Sequence, residues 1–431
     1  MCCDYISGEL ILCFPKVDLA ARRLIEDIGR GDIEHVSHIE SLEQKLARLG
    51  LKQDGDIEFE FHRVGVPVGE EQWKITYLQF FYKQKFLEVL GHGQATQEFI
   101  DCMGRSDYQF TAVHNSVLSL AAKPLDKAAV RAADFTFSKF HAQYKATVNV
   151  PATPPTNLDQ VHIAILDSGI ADDVNFAITD DTRNFTDPEQ PKKVSDETGH
   201  GTVIALIVHD LAPGAQLTVY KVADADGRAS EWDTLAALAV CARFHVINLS
   251  LQFGLRDRVC RICGRESHSS RSAVFENVIG QFAKRDRKSI LVGAAGNHGV
   301  DMLAFPARFS EVIAIGAVNS KGELSTESNY GNQYVFSDGP DNHFVCPGGD
   351  HKTEPSETVG SFGRNDKLRW HGTSFAAAYA SGVVANLIAQ QDEEDSDCAA
   401  ILDMLRDRAD STRLIAYDSR KHGHGIMRLS D

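Results

Sequence analysis

Hydrophobic and polar positions alternate in two ways along the chain, and the pattern is clearer after residue 158. There, short apolar runs rich in β-branched residues are separated by longer amphipathic stretches. Such runs predict parallel strands buried on both faces, and the intervening stretches predict helices. The predicted strands are Val161–Leu166, Gln216–Val222, His245–Leu251, Ile290–Ala294 and Val312–Val318. The predicted helices cover residues 201–211, 229–243, 271–287 and 373–390.

This alternation predicts an α/β fold over residues 158–431, with a doubly wound, mainly parallel sheet flanked by helices. In such a sheet, functional residues gather at the carboxyl ends of the strands. Upstream, Pro151, Pro154 and Pro155 block both helix and central strand. We therefore predict a proline-rich linker at residues 148–157.

Residues 1–147 follow a different pattern, which predicts a separate α+β domain. Glu9–Phe14 predicts a strand and Asp18–Ile28 a helix. Ile57–Val64 and Trp73–Phe80 predict a two-stranded hairpin, and residues 125–144 predict a long helix. This half contains no motif that indicates catalysis.

The charge composition excludes some classes of binding partner. The chain has 431 residues, with 44 Lys plus Arg against 60 Asp plus Glu, for a net charge of −16. So acidic a surface repels phosphate backbones and anionic membranes, which predicts that the protein binds neither nucleic acid nor membrane. With 43% hydrophobic and 24% charged residues, the chain has an ordinary globular composition.

The opening residues and the cysteines bear on the cellular compartment. Residues 1–9 lack the cationic and apolar segments of a secretory signal, and no apolar run reaches the roughly 20 residues that span a bilayer. Nine cysteines, an odd number, are scattered through the chain. Scattered free thiols suit a reducing compartment, so we expect a cytoplasmic protein.

Four motifs offer the parts of a serine hydrolase: a carboxylate, an imidazole, a hydroxyl and an oxyanion donor. Asp167 follows a predicted strand, and His200 lies between two glycines before a predicted helix. Ser374 lies at the start of a helix, where free N–H groups favour negative charge. Asn297 follows another strand and offers a side-chain amide. Each residue alone is equally consistent with a turn or helix-capping role.

Together, in this order on an alternating β/α frame, these motifs resemble the subtilase (subtilisin-like serine protease) family. The matching segments are Asp167–Gly169, Gly199–Thr202, Ala295–Asn297 and Gly372–Ser374. Further similar segments are Tyr220–Val222, Ile247–Leu251, Phe305–Ala307, Ser328–Gly331, Cys346–Gly348 and Gly423–Gly425. The resemblance covers about residues 158–431.

The resemblance implies an endopeptidase acting on proteins or peptides, with Ser374 as nucleophile, His200 as general base and Asp167 orienting the imidazole. Asn297 and the Ser374 N–H would bind the oxyanion. It also implies substrate-binding roles for two groups. Ser250, Leu251 and Gln252 would pair with the extended substrate, and a pocket for the residue before the scissile bond would be lined by Ala294, Ala295, Gly296 and Ala304.

Several residues depart from the family pattern without removing a catalytic group. The family usually has proline and histidine where this chain has Ala378 and Tyr379, and often histidine where it has Val203. The glycine-rich continuation after the substrate strand is replaced by residues 252–271. These departures predict altered packing of two helices and altered substrate subsites.

No metal site follows from the sequence, and the reaction requires no cofactor. Many subtilases bind calcium, but no oxygen ligands can be assigned here, and the acidic pairs at 172–173 and 180–181 indicate only loop residues. Cys260, Cys263 and His268 offer three zinc ligands without a fourth, so we favour free thiols over zinc, with a redox-sensitive pair as a further alternative.

The resemblance leaves the role of the first half open between a prodomain, cut near the proline-rich linker, and a permanent regulatory or partner-binding domain. An unrestrained cytoplasmic protease would be hazardous, so we expect restraint by this domain or by a regulatory protein. The competing function is a catalytically silent subtilase-fold binding or signalling protein. Completeness of the triad favours the active enzyme.

Overall fold

A computed structural model of the chain describes residues 5–14, 57–68, 71–82, 111–120, 130–151, 153–253, 258–259, 266–267, 272–282, 289–333, 342–353, 356–362, 370–391 and 397–430. Tertiary contacts divide the chain into two compact units. The first unit comprises Met1–Val117, Ser230–Val240 and Gly254–Gln281. The second unit comprises Leu118–Ala229, Cys241–Phe253 and Phe282–Asp431.

The strands, in chain order, are β1 (Tyr5–Phe14), β2 (Ile57–Val68), β3 (Glu71–Tyr82), β4 (Thr111–Leu120), β5 (Phe135–Phe137), β6 (His162–Asp167), β7 (Arg183–Asn184), β8 (Gln216–Lys221), β9 (Arg228–Ser230), β10 (Val246–Leu249), β11 (Leu251–Phe253), β12 (Arg258–Val259), β13 (Glu266–Ser267), β14 (Ile290–Ala294), β15 (Val312–Val318), β16 (His343–Pro347) and β17 (Gly360–Phe362). The helices are α1 (His141–Val148), α2 (His200–Leu211), α3 (Glu231–Ala239), α4 (Ala273–Phe282), α5 (Thr373–Ala389), α6 (Cys398–Arg408) and α7 (Ser419–His422).

The second unit is built on a seven-stranded parallel sheet in the order β16-β15-β14-β10-β6-β8-β7. Its central strands are buried along their whole length, as continuous apolar runs predict. The five predicted strands and the predicted α/β class are therefore confirmed. Because all strands run in the same direction, the residues that follow them meet at one edge of the sheet.

Two helices continue the core of this unit. Every residue of α5 is buried, and α2 packs directly against it. Both helices are apolar almost all round, which is the composition expected of helices enclosed by other elements. Val203 lies in this core, fully buried. The four helices predicted after residue 200 are confirmed, although residues 283–287 of the third lie outside the described residues.

The first unit contains an antiparallel arrangement in the order β4-β1-β3-β2, to which β4 contributes residues 111–117. The predicted hairpin is confirmed, since β2 pairs with β3 from Ile57 opposite Tyr82 to Val68 opposite Glu71. In the same unit, the Ser230 hydroxyl caps α3 by accepting from the Asp233 N–H at 2.9 Å. The predicted helix Asp18–Ile28 lies outside the described residues.

The segment before the predicted linker differs from the sequence prediction. Instead of one long helix over 125–144, the described part contains β5, paired with β17, and the short helix α1. The Phe135 ring contacts Phe137 and Phe362 edge-on, and such aromatic packing suits a strand better than a helix. Tyr144 and Val148 lie in the apolar core of the second unit. The compact unit thus includes residues that we placed before the linker at 148–157.

Tyr379 explains how α1 joins this core. Its hydroxyl lies 2.5 Å from His141 Nδ1, and the other ring nitrogen of His141 lies 2.8 Å from Asp210 Oδ2. Lys145 Nζ also lies 2.8 Å from that oxygen. The departure from the family pattern at Tyr379 therefore coincides with a hydrogen-bonded contact between α5 and α1.

The same contact predicts acid sensitivity. Partial burial works to raise the pKa of Asp210, but hydrogen bonds from His141 and Lys145, with the Lys145 charge, outweigh it and lower the pKa to about 2. The unfolded value is about 3.9, so the carboxylate stabilises the fold above about pH 4, and this contribution disappears as the pH falls through about 2. We expect the free energy of unfolding to fall less between about pH 4 and pH 2 in Asp210→Asn than in wild type, as measured by urea denaturation. An equal fall in variant and wild type would contradict this prediction.

Within the described parts of the chain, no helix has both the length and the apolar composition needed to cross a membrane.

Candidate active site

Asp167 and His200 form a buried hydrogen-bonded pair. Asp167 ends β6, at the carboxyl edge of the sheet, and His200 begins α2. His200 Nδ1 lies 2.8 Å from Asp167 Oδ1 and 3.0 Å from Oδ2. Both side chains are fully buried. This contact fixes the ring orientation and directs Nε2 away from the carboxylate, as a general base requires.

Asp196 organises the loop that carries His200, a role that the sequence analysis missed. Its Oδ1 accepts hydrogen bonds from the N–H groups of Thr198 and Gly199, at 3.0 and 2.8 Å. Its Oδ2 accepts from the Thr202 N–H at 2.9 Å and the Thr202 hydroxyl at 2.7 Å. The buried carboxylate thus satisfies free N–H groups at the start of α2. An aspartate four residues before His200 was the available signal.

Glycine at 201 is required by the close approach of two backbone segments. A Cβ at Gly201 would lie 2.3 Å from the Gly169 carbonyl oxygen and 3.2 Å from Asp167 Cβ. The first distance is far inside van der Waals contact and involves backbone, which cannot turn aside. The glycine therefore makes room for the loop after Asp167.

Ser374 is the second residue of α5, and its hydroxyl lies at the same edge of the sheet. Ser374 Oγ donates to the Ser250 carbonyl oxygen at 3.3 Å. His200 Nε2 is buried and has no hydrogen-bond partner among the residues that the structure describes. Catalytic hydrogen bonds are often long or misaligned before substrate binds. In the part of the chain that the structure describes, Ser374 Oγ is thus hydrogen-bonded to Ser250 while His200 Nε2 is unpartnered.

Asn297 is held beside the start of α5. Its Oδ1 accepts from the Thr373 N–H at 2.9 Å and from the Thr373 hydroxyl at 3.1 Å. A Cβ at Gly372 would lie 2.8 Å from this oxygen, at a φ of +124° that favours glycine. With Oδ1 occupied as an acceptor, the Nδ2 group remains a donor. It is available beside the first-turn Ser374 N–H, which has no intrahelical acceptor.

The segment that we predicted to pair with substrate is already paired with another strand of the chain. In β11, Leu251, Gln252 and Phe253 pair antiparallel with Leu120, Ser119 and Leu118. The Leu120 N–H also donates to the Gly227 carbonyl oxygen at 2.9 Å. All of these residues belong to the second unit. A segment of the chain itself therefore lies where an extended peptide would add to β11. Ser250 precedes β11, and its hydroxyl donates to the Ser374 carbonyl oxygen at 3.0 Å.

The four predicted pocket residues lie close together. The Ala304 N–H donates to the Ala295 carbonyl oxygen at 2.8 Å. Ala294, the residue before Ala295, is the last residue of β14. The Gly296 N–H donates to the Thr373 hydroxyl at 3.1 Å, which links this segment to α5. All four residues are buried, and none carries a large side chain. They bring small residues together next to Asn297 and the start of α5.

Two of the four acidic loop residues contact protein groups. Asp173 accepts from the Ala132 N–H at 2.6 Å and the Ala133 N–H at 3.2 Å. Asp181 forms an ion pair with Arg243. Cys260, Cys263 and His268 lie outside the described residues, so the alternatives of zinc, thiols or a redox pair stay open.

Comparison with known proteins identifies what the chain resembles. The model of the Subtilase family matches residues 159–425. The chain is 24% identical over 382 residues to alkaline elastase YaB of Bacillus sp. strain YaB, covering 80% of this chain and 90% of the relative. It is 27% identical over 279 residues to subtilisin BL of Lederbergia lenta, covering 62% and 88% respectively.

Solved structures agree on the fold. The epidermin leader peptide processing serine protease (EpiP) of Staphylococcus aureus has a TM-score of 0.60 at 17% identity, covering 98% of this chain and 97% of the other. A lanthipeptide protease has a TM-score of 0.51 at 19% identity, covering 68% of this chain and 93% of the other. At these identities, the similarity establishes a shared architecture.

Proposed function

The chain belongs to the subtilase family and is a subtilisin-like serine protease, and we propose that it is an endopeptidase whose nucleophile is Ser374. The observation that carries this proposal is the buried Asp167–His200 pair at 2.8 Å, with Ser374 at a helix start beside the same sheet edge. A carboxylate–imidazole pair facing a serine hydroxyl is the arrangement that activates serine for acyl transfer.

In the proposed reaction, His200 Nε2 takes the Ser374 hydroxyl proton as Oγ bonds to the scissile carbonyl carbon. The negative oxygen then accepts from Asn297 Nδ2 and the Ser374 N–H. Collapse breaks the C–N bond, and His200 gives its proton to the departing amine. Water, deprotonated by the same ring, then bonds to the acyl carbon, and His200 returns this proton to Ser374 Oγ as the acyl–oxygen bond breaks and the acid leaves. Asp167 keeps the imidazole in the required tautomer throughout.

We further propose that substrates bind as an added strand along β11, using Ser250, Leu251 and Gln252. The pairing of Leu118–Leu120 with this strand supports the assignment, because main-chain hydrogen bonds already form along that edge. The buried small residues at 294–296 and 304 suit an uncharged side chain before the scissile bond. Cleavage of a peptide library tests this assignment, and a preference for charged residues at that position would contradict it.

The N-terminal part is proposed to restrain the protease as a zymogen segment. Leu118 and Leu120 are buried while paired to β11, and the Leu120 N–H is bonded on its other side to Gly227. A peptide cannot add to β11 while Leu118–Leu120 occupies it. This supports a cut soon after Leu120, upstream of the proline-rich segment where we first expected it. A separate regulatory protein remains an additional proposal.

The first test combines active-site labelling with intact mass. Wild type and Ser374→Ala, both full length, are treated with a serine-directed fluorophosphonate. We expect only the wild type to be labelled, after losing its N-terminal part through a cut within a few residues after Leu120. Ser374→Ala should keep its full mass, because the nucleophile that makes the cut is absent.

The outcomes separate the proposals. Labelling of uncut wild type would support the proposed nucleophile and contradict the proposed self-processing. A new terminus within 148–157 would contradict restraint by Leu118–Leu120. No labelling of folded wild type, either intact or after limited proteolysis near residue 120, would favour the catalytically silent binding protein.

A cytoplasmic location is proposed on the state of the cysteines. Burial raises the pKa of the thiols of Cys241, Cys346 and Cys398 above the ordinary cysteine value. Buried protonated thiols react slowly and suit a reducing compartment. Cell fractionation tests the proposal, and recovery of the protein outside the cytoplasm would contradict it.

A further inference from the structure

Three side chains from separate loops converge next to the catalytic segments. Glu327 follows β15, His351 follows β16, and His371 lies directly before Gly372 and α5. His351 Nδ1 lies 3.3 Å from Glu327 Oε1, and His371 Nδ1 lies 3.5 Å from Glu327 Oε2. One ligand atom from each residue falls within 4.8 Å of the others. The side chains are 13 to 33% exposed, so solvent can reach the cluster.

The spacing fits a tetrahedral metal ion. Zinc binds imidazole nitrogen and carboxylate oxygen at about 2.0–2.2 Å, which places two tetrahedral ligands about 3.3–3.5 Å apart. The 3.3 Å distance between His351 Nδ1 and Glu327 Oε1 falls in this range, and the three ligand atoms all lie within 4.8 Å of one another. Three protein ligands with a fourth position left to water are a common zinc arrangement. Two imidazoles and a carboxylate form a donor set that zinc and similar divalent transition metals accept.

The two histidine rings also lie close to each other. The rings of His351 and His371 are stacked with centroids 4.9 Å apart and an interplanar angle of 22°. Both imidazoles are therefore close enough to share one ion with Glu327.

The backbone around the cluster is braced. The buried Asp350 carboxylate accepts from the Thr326 N–H at 2.9 Å and from its hydroxyl at 3.0 Å. Thr326 and Asp350 immediately precede Glu327 and His351, so this contact fixes two ligand-bearing segments relative to each other. The Gly372 N–H donates to the Gly348 carbonyl oxygen at 2.8 Å, and this bond fixes the segment that carries the third ligand, His371. A metal site built on such segments loses little entropy on binding.

We propose that Glu327, His351 and His371 bind one divalent transition-metal ion, zinc being the first candidate. His371 lies three residues before Ser374 in the sequence. The Gly299 N–H, close after Asn297, donates to the Glu327 carbonyl oxygen at 2.8 Å. The bound ion thereby fastens together the segments that carry the nucleophile and the oxyanion donor. The binding itself does not depend on the proposed peptidase activity.

The test is zinc titration by calorimetry on full-length Ser374→Ala, which cannot cut itself. We expect one zinc ion per chain from the cluster, with micromolar or tighter affinity, and a rise in Tm with zinc concentration. His351→Gln and Glu327→Gln, each added to Ser374→Ala, should weaken this binding at least tenfold. His209→Gln, which changes a half-buried histidine on α2, should bind zinc as Ser374→Ala does.

Because Cys260 and Cys263 could also bind zinc, a second experiment separates them from the cluster. Cys260→Ser combined with Cys263→Ser in the same background should leave the zinc titration of the cluster unchanged. Cobalt bound at the cluster should show ligand-field bands without thiolate charge transfer. Absence of zinc binding, or binding lost with the cysteines and retained in both His351→Gln and Glu327→Gln, would overturn the proposal. Circular dichroism of each apo variant confirms that it is folded before titration.

Discussion

Replacing Asp167 with asparagine should lower kcat about 10⁴-fold while leaving the fold intact. The asparagine carbonyl can still accept from the Ser168 N–H, which donates to Asp167 Oδ1 at 2.8 Å. Its amide would donate to His200 Nδ1 and hold the proton on Nε2. In that tautomer the ring cannot accept the Ser374 proton. Steady-state hydrolysis of a chromogenic peptide measures the loss, after limited proteolysis near residue 120 has released the N-terminal part of wild type and variant alike.

Asp172→Asn is the matched control, because Asp172 lies on the same connection and is exposed. It should retain wild-type kcat. Thermal unfolding of both variants separates chemistry from stability. A loss of less than about tenfold in Asp167→Asn, with the fold unchanged, would rule out the assigned role of the carboxylate.

Replacing Asn297 with alanine should lower kcat about 10²- to 10³-fold with a much smaller change in KM. The Thr373 contacts orient the Asn297 amide, so its Nδ2 hydrogen bond strengthens as charge develops on the substrate oxygen. Such an interaction acts mainly in the transition state. Parallel measurement of kcat and KM checks this expectation.

Asn297→Asp separates the donor from the structural role of the same side chain. A carboxylate still accepts from Thr373 and preserves the loop, but it replaces the donor with a negative oxygen. We expect a loss at least as large as in Asn297→Ala. If Asn297→Asp retained activity while Asn297→Ala lost it, Asn297 would act by positioning α5 and not as an oxyanion donor.

Local patterns were sufficient to predict most of the sheet and to nominate the residues that we propose for catalysis. The strands β6, β8, β10, β14 and β15 are apolar runs whose burial on both faces is readable from composition alone. Each catalytic motif lies directly after a strand or at a helix start, and neighbouring residues dictate those positions. The long helix expected over 125–144 was wrong in its described part, because the aromatic rings of β5 pack on β17, which is remote in sequence.

By itself, the sequence determined the α/β class, the family and the four residues proposed for catalysis, because strand periodicity and short motifs are local properties. Only the tertiary structure brought Leu118–Leu120 onto β11, Tyr379 against His141, and Glu327 between His351 and His371. These contacts join residues far apart along the chain, and no local pattern encodes which distant partner will satisfy a polar group or a strand edge. Packing of the whole unit makes that choice.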